Sequence, residues 1–190
     1  MLLNKVKQNY KQLLLLFVLT ILYTYMYHQT NHHKLEFILY KQNDLYFHFS
    51  RILSLDNVFS SPVNFKYFAH NGTMVNLFYP WITVFPLFKL FQWTHYNLIL
   101  AYYLFWLVMT FVTLVITYYA ATVITQNKWT SVLISALYTF SLVRTSDIYQ
   151  RVAIGETVAM TFLPLVLLSC YYLFYQQQIH KWYILTIAMT

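Results

Sequence analysis

Residues 77–88 read LFYPWITVFPLF, and the topology of the whole chain depends on them. The run is apolar but short, and Pro80 and Pro86 remove backbone donors and obstruct a continuous helix. Apolar runs of about 10–14 residues are more often re-entrant or interfacial than membrane-spanning. We therefore expect a surface or re-entrant element at 77–88 that turns back at the outer boundary of a membrane. The alternative is that this run crosses, which would reverse every later segment.

The composition is typical of a membrane protein. Of the 190 residues, 59% are hydrophobic and only 9% are charged, whereas soluble domains are about one-quarter charged. The formal net charge is +7, but the basic residues stand singly between apolar runs. That distribution is typical of lysines flanking membrane spans, so we expect no nucleic-acid partner. The single cysteine, Cys170, excludes a disulfide framework and a Cys-based zinc site.

Apolar runs separated by polar turns predict an all-α fold, a polytopic transmembrane helical bundle forming one domain over residues 1–190. The expected spans lie at about 12–27, 96–125, 129–142 and 157–175, with the start of another at 182. The nine residues from 182 onward cannot cross a hydrocarbon core of about 30 Å. We therefore expect this chain to be truncated, the N-terminal part of a longer protein.

The orientation follows from the lysines before the first span, Lys5, Lys7 and Lys11, which favour the cytoplasmic side. No small-residue cleavage site follows that span, so we expect an uncleaved anchor. The chain is thus predicted to be a multi-pass protein of the cell membrane with a cytoplasmic N-terminus. Residues 28–95 would form an outer loop with an interfacial helix at 44–55, and all five acidic residues would face the outer side.

The first polar stretch, residues 42–51, reads QNDLYFHFSR. Wound as a helix, it places Asp44, His48 and Arg51 at i, i+4 and i+7, on one face. An acid, an imidazole and a guanidinium in register beside a bilayer predict a site, with Asp44 and His48 as candidate catalytic residues. The alternatives are a helix N-cap role for Asp44 and an interfacial position for His48.

The second polar stretch reads VRTSDIYQRVAIGE and ends at Glu156. Asp147 and Arg151 form an i, i+4 pair, and Gly155 permits a tight turn before Glu156 opens the next span. Ionisable residues near a membrane tend to mark function. If 77–88 turns back, the two polar stretches lie on the same side and face each other. If it crosses, they cannot meet.

Other interpretations of the charged residues remain open. Glu156 is also explained as a helix-start acid, and arginines such as Arg144 and Arg151 commonly anchor span ends at the interface. The pair His32-His33 suggests metal binding, but no carboxylate or cysteine stands at ligand spacing. A divalent metal is therefore not supported by the sequence.

Several motifs together resemble a known family. They are an outer Asp-x-x-x-His-x-x-Arg helix (44–51), an Asn-Leu-Phe-Tyr-Pro stretch (76–80), and Asp-x-Tyr-x-Arg-x-x-x-Gly-Glu (147–156) leading into Leu-Pro-Leu (163–165). They are similar to bacterial polytopic proteins with the "6-pyruvoyl-tetrahydropterin synthase-related" membrane domain, which resemble YfhO-like proteins and GT-C glycosyltransferases. The resemblance covers about 13–181 and implies a GT-C-like N-terminal module with an outer juxtamembrane helix.

The resemblance implies sugar transfer from a polyprenyl-phosphate-linked sugar, carried by a membrane lipid, to an extracytoplasmic acceptor. GT-C enzymes carry an essential acid in the first outer loop, which is the position of Asp44. Asp44 would act as general base on the acceptor hydroxyl, and His48 would orient Asp44 or contact phosphate. Arg51 and Arg151 would bind the phosphate. The other substrate-binding candidates are Asp147, Tyr149 and Glu156. Because Leu45 follows Asp44, the paired acids of metal-dependent members are missing, and no metal cofactor is expected.

Two other functions suit the same sequence. In a lipid or solute transporter the charges would line a path, and an interrupted helix such as 77–88 suits transporters as well. In a non-catalytic membrane subunit or fragment, the charges would have structural roles only. An enzyme consumes a labelled polyprenyl-phosphate sugar in the presence of an acceptor, whereas a transporter only relocates it.

Overall fold

The computed structural model describes residues 9–26, 43–61, 63, 72, 74, 77 and 81–189. Within these residues the chain is helical and contains no strand, which confirms the predicted all-α class. The α-helices are α1 (9–26), α2 (Asn43–Leu53), α3 (Phe85–Trp93), α4 (Leu98–Thr125), α5 (Lys128–Thr139), α6 (Leu142–Ser146), α7 (Ile154–Cys170) and α8 (Tyr183–Met189). Lys5, Lys7, His32-His33 and much of the predicted outer loop lie outside the described residues.

Two helices in the described part of the chain are long and apolar enough to cross a membrane. One is α4, with 28 residues and a mean hydropathy of 2.3. The other is α7 with the π-helical turn Tyr171–Tyr175 that prolongs it, 22 residues with a mean hydropathy of 1.8. At 1.5 Å per residue their lengths are about 42 and 33 Å, which match the hydrocarbon core. The predicted spans at 12–27 and 129–142 stay predictions, and α5, with 12 residues, is shorter than a span.

Asparagine side chains cap the starts of both α4 and α5. Asn97 accepts a hydrogen bond from the Leu100 amide and starts α4. Gln126, with φ 56°, ends α4 in the left-handed conformation. Asn127 then caps α5, because its side chain accepts from the amides of Trp129 and Thr130. The two helices are therefore antiparallel neighbours joined by a two-residue turn.

Helix α3 contains the second half of the proline-rich run. Pro86 occupies its first turn, where a missing amide hydrogen costs no helical hydrogen bond. The helix has nine residues, so it rises only about 14 Å, less than half of a hydrocarbon core of about 30 Å. His95 and Tyr96 follow with positive φ (52° and 65°) and lead the chain directly into α4. That the run 77–88 turns back at a membrane boundary stays a prediction.

The main hydrophobic core joins α2 to the body of the protein. Ile52 and Leu55, both 1% exposed, pack with residues of α3, with Trp106 on α4, and with Ile154 at the start of α7. Phe49 adds an edge-to-face contact with the Tyr102 ring, at 6.2 Å between centroids. The core therefore fixes α2 beside the start of α7, which is the arrangement that brings the two polar stretches together.

Candidate functional site

The two polar stretches line one cavity of about 360 Å³ between α2 and the start of α7. From α2 come the three residues predicted to share a face, Asp44, His48 and Arg51. From the other side come Arg151 and Glu156. Phe47, Ala153 and Gly155 complete the lining. Five of the seven predicted site residues therefore lie around the same cavity.

Helix α2 presents its charged face to this cavity because its opposite face is anchored in the core. Asp44 lies in the first turn, where a carboxylate interacts favourably with the helix dipole, and its side chain is exposed. Arg51 is only 3% exposed, and its guanidinium lies 5.8 Å from the centroid of the Phe47 ring. Helix α2 ends at Leu53, and the 3₁₀ turn Ser54–Asn57 completes the predicted 44–55 helix.

His48 is held in one tautomer by its neighbour. Arg51 Nη1 lies 3.1 Å from His48 Nδ1, and because a guanidinium only donates, Nδ1 must accept. The neutral ring therefore carries its proton on Nε2. Burial and the Arg51 charge lower the pKa of His48 from its ordinary 6.5, while Asp44 acts in the opposite direction. At neutral pH the His48 ring is thus uncharged and donates a hydrogen bond through Nε2–H. Its Nδ1 is engaged by Arg51 and is not available to take a proton from a substrate.

This arrangement predicts a pH dependence of stability. The folded-state pKa of His48 is lowered, so its contribution is complete above 6.5 and is lost as pH falls through 6.5 towards the folded-state value. Protonation also makes Nδ1 a donor that opposes Arg51. We expect the melting temperature in detergent to fall between pH 7.5 and 5.5 more steeply for wild type than for His48→Asn, whose amide oxygen still accepts from Arg51. Equal slopes would contradict this role of His48.

The turn before α7 is built differently from the prediction. Gly155 was expected to make the turn, but it lies inside α7, and the left-handed residue is Val152, with φ 56°. The turn closes because the Val152 and Ala153 amides both donate to the Asp147 carbonyl. A β-branched residue at positive φ carries backbone strain, which the fully buried Val152 side chain offsets by packing in the core. Strain of this kind is concentrated at functional sites.

Arg151, in the cavity wall, is the centre of an ion-pair cluster. Its Nη1 donates to Asp147 Oδ1 at 2.7 Å and to Glu156 Oε2 at 3.2 Å. The hydrogen bond and charge of Asp147, followed by the charge of Glu156, raise the pKa of Arg151. The Asp147 side chain is 1% exposed, whereas those of Arg151 and Glu156 are more than half exposed. Asp147 therefore holds Arg151 in position from behind.

Two predicted substrate-binding residues do not line the cavity. Asp147 is buried beneath Arg151, and Tyr149 is 4% exposed and belongs to the hydrophobic core. Both lie on the π-helical turn Asp147–Arg151, whose residues 147–149 point inwards. Phe47 and Ala153 also line the cavity but were not predicted from the sequence, because they carry no charge or motif signal.

A larger apolar groove, of about 680 Å³, lies alongside α7. It is formed by α3, α4 and α7, with Pro86, Leu90, Phe105, Met109, Val158 and Phe162 among its lining residues. Val158 and Phe162 follow Glu156 along α7 by two and six residues, so one helix serves both the charged cavity and the groove. Lys89 lies on the α3 wall of the groove.

Among the described residues, no group of three or more His, Cys, Asp or Glu side chains is placed to hold a metal ion. Charge in the cavity is instead supplied by carboxylates and guanidiniums. In comparisons with known proteins, no family model, no curated protein and no solved structure matches this chain.

Proposed function

We propose that this chain has the function of a membrane glycosyltransferase of the GT-C type. It would transfer a sugar from a polyprenyl-phosphate donor to an acceptor on the outer side of the membrane. The observation that carries the proposal is the cavity in which Asp44, His48 and Arg51 meet Arg151 and Glu156. An acid, a hydrogen-bond donor and two guanidiniums are the groups that inverting transfer from a phosphate leaving group requires.

The donor phosphate would lie between Arg51 and Arg151, which come from opposite walls of the cavity. Guanidinium groups match phosphate oxygens by paired N–H donors. The start of α7 adds to this because Ala153, at its cap position, has no side chain to satisfy the first amides. Gly155 leaves the backbone approachable, since a Cβ there would meet no atom within 4 Å. Asp147 would hold the Arg151 guanidinium in position towards the phosphate.

The acceptor would bind near Asp44. In the transfer step, the acceptor oxygen forms a bond to the anomeric carbon while the bond from that carbon to the phosphate oxygen breaks. Asp44 takes the acceptor's hydroxyl proton, and the polyprenyl phosphate leaves with the electron pair. His48 Nε2–H would donate to the phosphate or to Asp44, because its Nδ1 is engaged by Arg51. Glu156 is exposed in the same cavity and suits a sugar or acceptor hydroxyl.

The lipid part of the donor has a matching surface in the apolar groove along α7. An amphiphile with its phosphate at Arg151 would reach this groove through Val158 and Phe162, within two turns of the same helix.

Interrupted helices favour the alternative of a transporter. Here, the segment between α5 and α7 is broken into the short helix α6 and a π-helical turn.

A transfer assay separates these functions. The full-length protein in proteoliposomes receives polyprenyl-phosphate-linked tritiated glucose and a delipidated cell-envelope extract as the source of acceptor. A transferase moves tritium from the lipid to the extract and leaves free polyprenyl phosphate. A transporter relocates intact donor across the bilayer, and a non-catalytic subunit does neither. Intact donor after prolonged incubation with several labelled sugars would contradict the proposal.

Gly155→Ala separates activity from folding. No protein atom lies within 4 Å of the new Cβ, and alanine is favoured over glycine in a helix by up to about 1 kcal/mol. We therefore expect unchanged or slightly higher thermal stability. Transfer should fall about 10- to 100-fold, because the methyl group occupies the space where phosphate approaches the backbone. The initial rate of transfer and the melting temperature are measured for wild type and Gly155→Ala. Full transfer activity in Gly155→Ala would show that Gly155 is not part of the phosphate site.

A further inference from the structure

Tyr102 is a buried side chain that contacts both elements that form the charged cavity. It lies in the second turn of α4 and is 1% exposed. Its ring makes an edge-to-face contact with Phe49 of α2, at 6.2 Å between centroids. Its hydroxyl donates to the carbonyl of Ile148, on the π-helical turn before α7. One residue of α4 is therefore in contact with the helix that carries Asp44 and with the turn that carries Arg151.

The π-helical turn draws the usual amide partners of Ile148 to another carbonyl. In an α-helix the Ile148 carbonyl would accept from the Val152 amide, and in a π-helix from the Ala153 amide. Here both amides donate one residue earlier, to the Asp147 carbonyl. A buried carbonyl that loses its donor costs free energy comparable to a lost hydrogen bond. The Tyr102 hydroxyl takes the place of the amide at Ile148.

The Tyr102 hydroxyl therefore stabilises one register of the turn. Without it, the buried Ile148 carbonyl regains a donor only when one of the two amides leaves Asp147. That exchange changes which side chains of the turn point inwards, because the α-helical and π-helical hydrogen bonds span different numbers of residues. Arg151 is the last residue of the turn, so its guanidinium moves when the register changes.

We infer that Tyr102 is a positioning residue for the donor phosphate, because its hydroxyl holds the turn that directs Arg151 into the cavity. This role rests on the proposed function, in which Arg151 binds the phosphate and the acceptor binds near Asp44 on α2. Tyr102 does not line the cavity, so it acts through Arg151. Loss of the hydroxyl alone leaves the ring contact with α2 in place. Donor binding should therefore weaken while acceptor binding is unchanged.

A second tyrosine offers a matched control. Tyr138 lies on α5, and its hydroxyl donates to the Met160 carbonyl of α7 at 2.6 Å. The helical donor for that carbonyl would be the amide of residue 164, but Pro164 has no amide hydrogen. Each tyrosine thus satisfies a buried carbonyl in place of a helical amide. Tyr138, Met160 and Pro164 do not line the charged cavity.

The test compares the purified full-length wild type, Tyr102→Phe and Tyr138→Phe. The KM for the polyprenyl-phosphate sugar should rise about 10-fold in Tyr102→Phe alone, and the KM for the acceptor should stay unchanged. A purely structural loss lowers the active fraction, and hence kcat, without changing either KM. An unchanged donor KM in Tyr102→Phe, or an equal rise in Tyr138→Phe, would overturn the inference.

Hydrogen exchange tests the same role without activity, so a wild type that transfers no sugar refutes the proposed function and leaves this measurement valid. The amides of Val152 and Ala153 should exchange about 10-fold faster in Tyr102→Phe, and at the wild-type rate in Tyr138→Phe. Unchanged exchange in Tyr102→Phe would overturn the role of its hydroxyl in the turn. A Tyr102→Phe protein that does not fold, beside a folded Tyr138→Phe, would assign the hydroxyl to the whole fold and would also overturn a positioning role.

Discussion

Replacing Asp44 by asparagine is expected to reduce sugar transfer about 10²- to 10⁴-fold, the usual loss when a general base is removed. Asparagine keeps the size and polarity of the side chain but cannot accept the acceptor's proton. Asp44 is exposed in the first turn of α2, so its loss should change the melting temperature little. The measurement is the single-turnover rate with enzyme in excess over donor and with saturating acceptor, because that rate isolates chemistry from binding.

Asp56→Asn is the matched control. Asp56 is also exposed, lies in the 3₁₀ turn that follows α2, and does not line the cavity. We expect it to retain full transfer activity. Equal losses in Asp44→Asn and Asp56→Asn would point to a general effect of negative charge at the membrane surface, and unchanged activity in Asp44→Asn would remove the base assignment.

Replacing Ile52 by alanine is expected to lower the free energy of unfolding by about 2–5 kcal/mol. Ile52 is 1% exposed and packs in the core that joins α2 to α3, α4 and the start of α7. Its loss leaves a cavity at the junction that sets the position of Asp44, His48 and Arg51. Transfer should therefore also fall, although Ile52 does not line the charged cavity. Thermal unfolding measures the loss of stability, hydrogen exchange of α2 amides measures the loosening of α2, and the transfer assay measures the loss of activity.

Phe59→Ala provides the comparison. Phe59 is 78% exposed and follows α2 by six residues, so a large side chain is removed with little lost burial. The Phe59 ring contacts the rings of Trp81 and Phe85 at 5.4 and 5.5 Å between centroids, so we expect a loss of about 0.5–1.5 kcal/mol, smaller than that for Ile52→Ala. An Ile52→Ala protein as stable as Phe59→Ala would show that α2 is not anchored in this core.

The parts of the site predicted from sequence are those that local geometry determines. The i, i+4, i+7 spacing of Asp44, His48 and Arg51 placed them on one face of α2, and all three line the cavity. The two prolines of 77–88 predicted an interrupted helix, and α3 has nine residues with Pro86 in its first turn. That this run turns back at a membrane stays a prediction. Each inference needed only helix periodicity or the missing amide of proline.

The parts that sequence did not reveal depend on tertiary packing. Arg144 and Arg151 stand seven residues apart in the same polar stretch, yet one is buried and the other is about half exposed. The π-helical turn between them changes the register, so a spacing of seven no longer keeps two residues on one face. The same turn buries Asp147 and Tyr149. The left-handed residue is Val152, whereas the turn was expected at Gly155. No local pattern signals this arrangement.

The proposed site requires α2 and the start of α7 to face each other across one cavity, on one side of the membrane. The most direct test places cysteines at His48 and Gly155 in a Cys170→Ser background and adds a short bifunctional maleimide. We predict an intramolecular cross-link between positions 48 and 155, and none between 48 and a cysteine at Gln126, at the far end of α4. If the cysteines at 48 and 155 each react but never cross-link, or react with an impermeant maleimide from opposite sides of the membrane, the shared cavity does not exist.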